Sequence, residues 1–187
     1  MKLEQENARI YLRSWQLSDA EQLYHYAKNP RIALPAGWPP HESIEDSVLI
    51  LKEVLCSWGF FAIIKKDTDT LIGYICLLIG DASNFDIGEQ DGELGFWMGE
   101  EFWGKGYTKE AIETLLDYSF LDLCLDRIWC GYFSDNMQSK RLQEKCGFSY
   151  AYTIDQVQTL LGTEKKEIVM NMDYSQYIEN VEQGILL

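Results

Sequence analysis

The stretch ELGFWMGEEFWGKGYTKEA, Glu93 to Ala111, constrains the fold of this chain more than any other. Its first six residues, Glu93 to Met98, read as a strand. From Tyr107 onward, Ala111, Leu115, Tyr118 and Leu121 recur at helical spacing and give an amphipathic helix. Between strand and helix stands Gly104-Lys105-Gly106. A helix start presents backbone N–H groups without intrahelical acceptors and a partial positive charge, and glycine lets the backbone approach a ligand closely. DRIWCGYF, ending at Phe133, is the next strand, so the strand–helix–strand unit from Glu93 to Phe133 should be parallel and right-handed.

Several phosphate compounds could suit such a turn. Gly99 to Lys105 matches G-x-x-x-x-G-K, the spacing of a nucleoside-triphosphate loop. Three features argue against it. Gly106 stands where a magnesium-binding Ser or Thr is needed. Glu100 and Glu101 would turn carboxylates toward the phosphates. No apolar strand ending in Asp follows to complete a magnesium site. A dinucleotide fingerprint lacks its third glycine, Lys109 standing in its place. Two readings remain: a metal-free pyrophosphate cradle, built from the backbone of Lys105 to Thr108 with Lys105 and Lys109 as nearby cations, or a tight turn that holds nothing.

The rest of the chain alternates clearly. RIYLRSW reads as a strand, and Ser18-x-x-Glu21 as a capping box opening a helix that stops near Lys28. Three of the four prolines fall in RIALPAGWPPHES, which reads as a loop. Ser43 can cap a helix with Ile44, Val48, Leu51 and Leu55 on one face. FFAIIKK and LIGYICLLI read as a hairpin, and NMQSKRLQEKCGF as a short helix stopped by glycine. Strand-like runs close the domain around Tyr150–Leu161 and Glu167–Met172. The order predicts an α/β fold on a single mixed sheet, one domain over residues 1–173, and a tail or loose helix over 174–187.

There are 16 basic and 30 acidic residues, a net charge of −14. That argues against nucleic-acid or anionic-membrane partners; it suits a cationic substrate such as an amine, or simply solubility. The five cysteines form no C-x-x-C pair and read as free thiols of a reducing compartment. MKLEQENARI lacks the apolar core of a secretion signal, and the longest apolar run is too short to span a bilayer, which predicts a cytoplasmic protein.

ELGFWMGEEFWGKGYTKEA and NMQSKRLQEKCGF together resemble the acyl-CoA-binding core of GNAT-superfamily N-acetyltransferases, nearest the ribosomal-protein-alanine (RimJ/RimL) type. The likeness extends over about residues 9 to 173. The family pattern Gln/Arg-x-x-Gly-x-Gly/Ala falls on Trp103 to Thr108, with Trp103 in place of Gln or Arg and Thr108 in place of a smaller residue. The resemblance implies a mostly antiparallel sheet of about seven strands with a splayed central parallel pair and about four flanking helices. It also implies acetyl-CoA as cofactor and no metal. The pantetheine arm would pair with Phe96, Trp97 and Met98 as an added strand, and the pyrophosphate would lie on Trp103, Gly104, Lys105, Gly106, Tyr107, Thr108 and Lys109. Asn136 would touch the arm or merely cap its helix.

In acetyl transfer the amine must first lose a proton. Glu93 is the candidate base, and a backbone N–H near Gly95 or Phe96 the candidate oxyanion donor. Many relatives carry a tyrosine as the acid where this chain has Gln143, which leaves Ser139 as the candidate partner of the sulfur. Trp38 and His41 are candidates for lining the acceptor site. The implied acceptor is a peptide N-terminus or a small amine, and a homodimer is possible. The missing tyrosine also suits an alternative, a non-catalytic acyl-CoA-binding module.

Overall fold

A computed structural model gives the fold and describes residues 1–186. Its strands are β1 (Lys2–Leu3), β2 (Ile10–Ser14), β3 (Phe60–Lys65), β4 (Thr70–Ile79), β5 (Asp91–Met98), β6 (Arg127–Phe133), β7 (Ser149–Gln158) and β8 (Glu164–Asp173). Its helices are α1 (Ala20–Ala27), α2 (Pro30–Ala33), α3 (Ile44–Ile50), α4 (Tyr107–Asp117), α5 (Met137–Lys145) and α6 (Tyr174–Glu182). The strands hydrogen-bond in the order β1-β2-β3-β4-β5-β6-β8-β7. β5 and β6 run parallel, while β1–β2, β2–β3, β3–β4, β6–β8 and β7–β8 are antiparallel. The expected mixed, mostly antiparallel sheet is therefore present. Its eighth strand is β1, two residues long and too short to show a period in the sequence.

The chain divides into two compact bodies. The first comprises residues 1–76, 96–111 and 159–163. Its core gathers Trp15, Leu23, Tyr26, Ile32, Leu51, Ala62, Ile64 and Leu71, where α1 and the segment from α3 to Leu55 cover β3 and the start of β4. Each fully buried Leu or Ile contributes about 1.5–3 kcal/mol. Ser43 caps α3 as its sequence suggests: its Oγ accepts the Asp46 N–H at 3.2 Å, and the Asp46 carboxylate accepts the Ser43 N–H at 3.0 Å. Ser18 does not cap α1. The box stands two residues earlier, on the turn Leu17–Asp19 that leads into α1: the Asp19 carboxylate accepts the Gln16 N–H at 2.9 Å, and Arg13 grips it with two bonds of 2.7 and 2.8 Å. The proline-rich segment is not all loop, because Pro30 at a first helical position and the Asn29 cap, which accepts the Arg31 N–H at 2.9 Å, start α2.

The second body comprises, of the described residues, 77–95, 112–158 and 164–186. Ile112, Leu115, Leu116, Phe120, Ile128, Cys130, Val169 and Met172 form its interior. After α4 the backbone widens into a π turn over Tyr118–Asp122. The wider turn rotates Leu121 outward, 55% exposed, off the apolar face that the helical spacing assigned it. Residues 174–182, read as a tail or a loose helix, form α6. Asp173 caps it, accepting the Gln176 N–H at 2.9 Å, and Tyr177 donates to Asp117 at 2.8 Å with its ring 4.9 Å from that of Phe120. The parallel register runs Asp91↔Arg127, Gly92↔Ile128, Glu93↔Trp129 and, among the described residues, ends there. β6 goes on beside β8 to Phe133↔Glu167. The β7–β8 register shifts twice, at Tyr150/Tyr152 and at Ile154/Val157.

Candidate active site

In the first body, β5 ends against β4: the Gly99 N–H donates to the Ile72 carbonyl at 2.8 Å. Trp97 stacks on Tyr74 at 5.9 Å and meets the tilted ring of Tyr26 at 6.1 Å, and Met98 is buried. Trp103 folds back on the strand, its indole N–H donating to the Met98 carbonyl at 2.8 Å. Gly104 and Gly106 follow with φ of 71° and 89°, a left-handed turn open to glycine and strained for other residues. The Gly106 carbonyl accepts the first helical bond, from the Glu110 N–H at 3.2 Å. Exposed Gly104 has nothing within 4 Å of where a side chain would start.

The carboxylates that surround this turn are engaged elsewhere. Glu100 pairs with Arg31 and accepts from Asn29 at 2.9 Å. Arg9 pairs with Glu110 through its guanidinium, and its backbone N–H donates to the same carboxylate at 2.8 Å. Arg9 also donates to the Lys105 carbonyl at 2.8 Å and lies 4.4 Å from the centre of the Tyr107 ring. Lys105 reaches over Phe102, 5.7 Å from its ring. Thr108 and Lys109 continue the first turn of α4, half-buried. The run from Trp103 to Lys109 is thus a continuous Gly-x-Gly helix start, stapled by an arginine that sequence spacing alone did not single out. In the same body, Trp38 packs against the core, 5.8 Å from the His41 ring. His41 Nδ1 is 2.8 Å from Ser47 Oγ, and burial holds the imidazole below its ordinary pKa.

The second body holds Glu93, Asn136 and Ser139. Glu93 is 9% exposed, and its carboxylate accepts from Ser83 Oγ at 2.7 Å, from the Asn84 N–H and from Asn84 Nδ2 at 3.0 Å. Asn136 caps α5, accepting the Ser139 N–H at 3.1 Å. Ser139 Oγ accepts from Gln143 Nε2 at 3.1 Å, which leaves its own proton for another acceptor. Gln143 is wholly buried and also donates to the Gly131 carbonyl at 3.0 Å, so it fastens α5 to β6.

One residue of this site went unnoticed in the sequence. Glu167 on β8 stands opposite Phe133, and its half-buried carboxyl reaches over Gly131, where a Cβ would overlap it. Burial, and next the charge of Glu93, push its pKa up to about 7. Burial first, then Glu167, Asp86 and Glu93, raise Tyr152 on β7. Buried Cys130 is raised by burial and by Cys146, Glu93 and Glu167. The signal available in the sequence was strand phase, since Glu167 shares its face of β8 with buried Val169.

The family model described as an acetyltransferase (GNAT) domain matches residues 9–149. The chain belongs to the GNAT family. Among GNAT relatives, an uncharacterized N-acetyltransferase, p20, of Bacillus licheniformis is 29% identical over 145 residues, 75% of this chain and 79% of p20. A GNAT acetyltransferase structure from Bacillus anthracis shares the fold, with a TM-score of 0.77 over 92% of this chain and 98% of that one at 22% identity. So does a chimera of spermidine N-acetyltransferase SpeG from Vibrio cholerae and hSSAT, with a TM-score of 0.72 over 91% and 99% at 22% identity. As a GNAT acetyltransferase the chain is an enzyme, and no helix among its described residues is long and apolar enough to cross a membrane.

Proposed function

We propose that this GNAT protein is an acetyl-CoA-dependent N-acetyltransferase that acetylates a primary amine, a peptide N-terminus or a small amine, in the RimJ/RimL manner. The carrying observation is the stapled turn: Gly104 and Gly106 in left-handed backbone at the start of α4, with the nearby Glu100 and Glu110 carboxylates tied to Arg31 and Arg9. Such a turn suits a pyrophosphate. Trp103 to Lys109 would hold it, and the strand Phe96 to Met98 would meet the pantetheine amides. When bound, the cofactor supplies an acetyl group activated as a thioester. Asn136 and Ser139 on α5 would serve its arm and sulfur, with Ser139 donating its hydroxyl proton. A carboxylate of the second body takes the proton that the acceptor ammonium must lose.

Trp38 and His41 are proposed to face the acceptor, and the neutral imidazole of His41 suits a site that admits a cation. The likeness to a chimera named as a spermidine N-acetyltransferase and the acidic net charge both favour a cationic acceptor. The five free thiols fit a reducing, cytoplasmic setting. Incubation with acetyl-CoA and Ala- or Ser-initiated peptides, spermidine and free amino acids, read by mass spectrometry, should add one acetyl group to at least one acceptor. Cofactor binding measured by calorimetry with no acetylated product would instead mark a non-catalytic acyl-CoA-binding module.

A further inference from the structure

Glu93 and Glu167 lie on one face of the sheet in the second body, with Gly131 between their strands' contacts. Glu93 is in register with Trp129, Glu167 with Phe133, and Gly131 stands midway along β6. Because Gly131 has no side chain, the Glu167 carboxyl lies over the bare strand. The two acids differ in their surroundings. Glu93 is held by donors from Ser83 and Asn84, so its oxygens already serve as a tie for that segment. Glu167 is half-buried; burial and the charge of Glu93 act on it, and it acts in turn on the Cys130 thiol and on the Tyr152 phenol, which Asp86 also influences. The adjoining lysines of β8 are bound elsewhere, Lys165 to Asp135 at 3.0 Å and Lys166 to Asp155 at 2.8 Å. No cation among these holds Glu167 ionised.

We propose that Glu167 is the proton acceptor of the reaction and that Glu93 is its positioning and charge-setting neighbour; this rests on the acetyl-transfer reading above. The acceptor ammonium gives one proton to the Glu167 carboxylate. The freed nitrogen lone pair forms the bond to the acetyl carbon as the carbon–sulfur bond breaks with its electron pair on sulfur. The nitrogen's second proton goes to that thiolate, by way of the Ser139 hydroxyl, and Glu167 releases its proton to water. The sum is one ammonium and one thioester converted to one amide, one thiol and one proton. A carboxyl that is half-protonated near neutrality can accept in one half of this cycle and release in the other.

Two measurements test the assignment. The first needs no acceptor: carbon-13 spectra of protein labelled at glutamate carboxyls should show one resonance titrating near pH 7. That resonance should vanish in Glu167→Gln and move in Gly131→Ala, whose methyl displaces the carboxyl. The second uses spermidine and an Ala-initiated tetrapeptide as probes. Glu167→Gln should lower kcat about 100-fold or more and abolish the rise of kcat/KM around pH 7. Its calorimetric Kd for coenzyme A should stay within about twofold of wild type. The proposal is overturned if no glutamate titrates above pH 6, or if Glu167→Gln keeps both turnover and pH limb while Glu93→Gln loses them. A wild-type protein that binds coenzyme A and acetylates neither probe would count against the acetyl-transfer reading, and the carboxyl titration would still decide the state of Glu167.

Discussion

Glu93 and Glu167 carry the same functional group and differ only in what surrounds it. Glu93 accepts three donors; Glu167 has burial and a like charge for company. A carboxyl whose folded pKa lies above its unfolded value near 4.5 binds more protons in the folded state, so stability falls as pH rises from about 4.5 through 7. Glu167→Gln removes that loss. It should leave the melting temperature at pH 4 nearly unchanged and stabilise the protein at pH 8 on the order of 1–2 kcal/mol, after discounting for the solvent-exposed part of the side chain. Calorimetric scans at the two pH values check this, and equal shifts at both would refute it. Residue chemistry was legible where it was local. Glu93 could be picked out because it opens the strand that leads into the Gly-x-Gly turn, and Gln143 because it stands in a recognised helix. Glu167 could not, since what sets it apart is a glycine and a carboxylate brought alongside by strand pairing.

At the scale of elements the sequence was more informative. The hairpin of β3 and β4, the parallel β5–β6 unit and the Ser43 cap follow from period and turn chemistry. The departures came from a capping box that stands two residues earlier than expected, at Gln16 and Asp19, or from a change of helical pitch, as at Leu121. The staple between the start of β2 and the first turn of α4 belongs here as well. Arg9 neutralises Glu110 and binds the Lys105 carbonyl, one side chain setting both the shape and the sign of the cradle. Its loss leaves a carboxylate facing a proposed pyrophosphate site. Arg9→Ala should weaken coenzyme A binding about 10- to 100-fold, about 1.4–2.7 kcal/mol. Arg9→Lys should recover only part of it, because an ammonium cannot reproduce the fork. Calorimetric titration of the two variants distinguishes this from a loss of charge alone, which Lys would restore fully.

The molecule as a whole carries fourteen more acidic than basic side chains by formal count. A field of that sign concentrates cations near the surface over about a Debye length, roughly 8 Å at physiological salt. The KM for a polyamine acceptor should therefore climb several-fold between 20 and 300 mM salt, whereas the KM for an amino acid amide, which carries a single ammonium, should change less. Steady-state kinetics at the two salt concentrations check it; identical salt responses would mean that acidity serves solubility alone. The outermost strands of the sheet carry features that matter outside any active site. β1 is two residues long, and β7 loses its pairing register twice along its length. An edge that is stunted, or that kinks and re-aims its amides, gives a foreign strand no straight row to zip onto. Crowded in a cell or concentrated in a tube, the chain is built to resist growing into fibres.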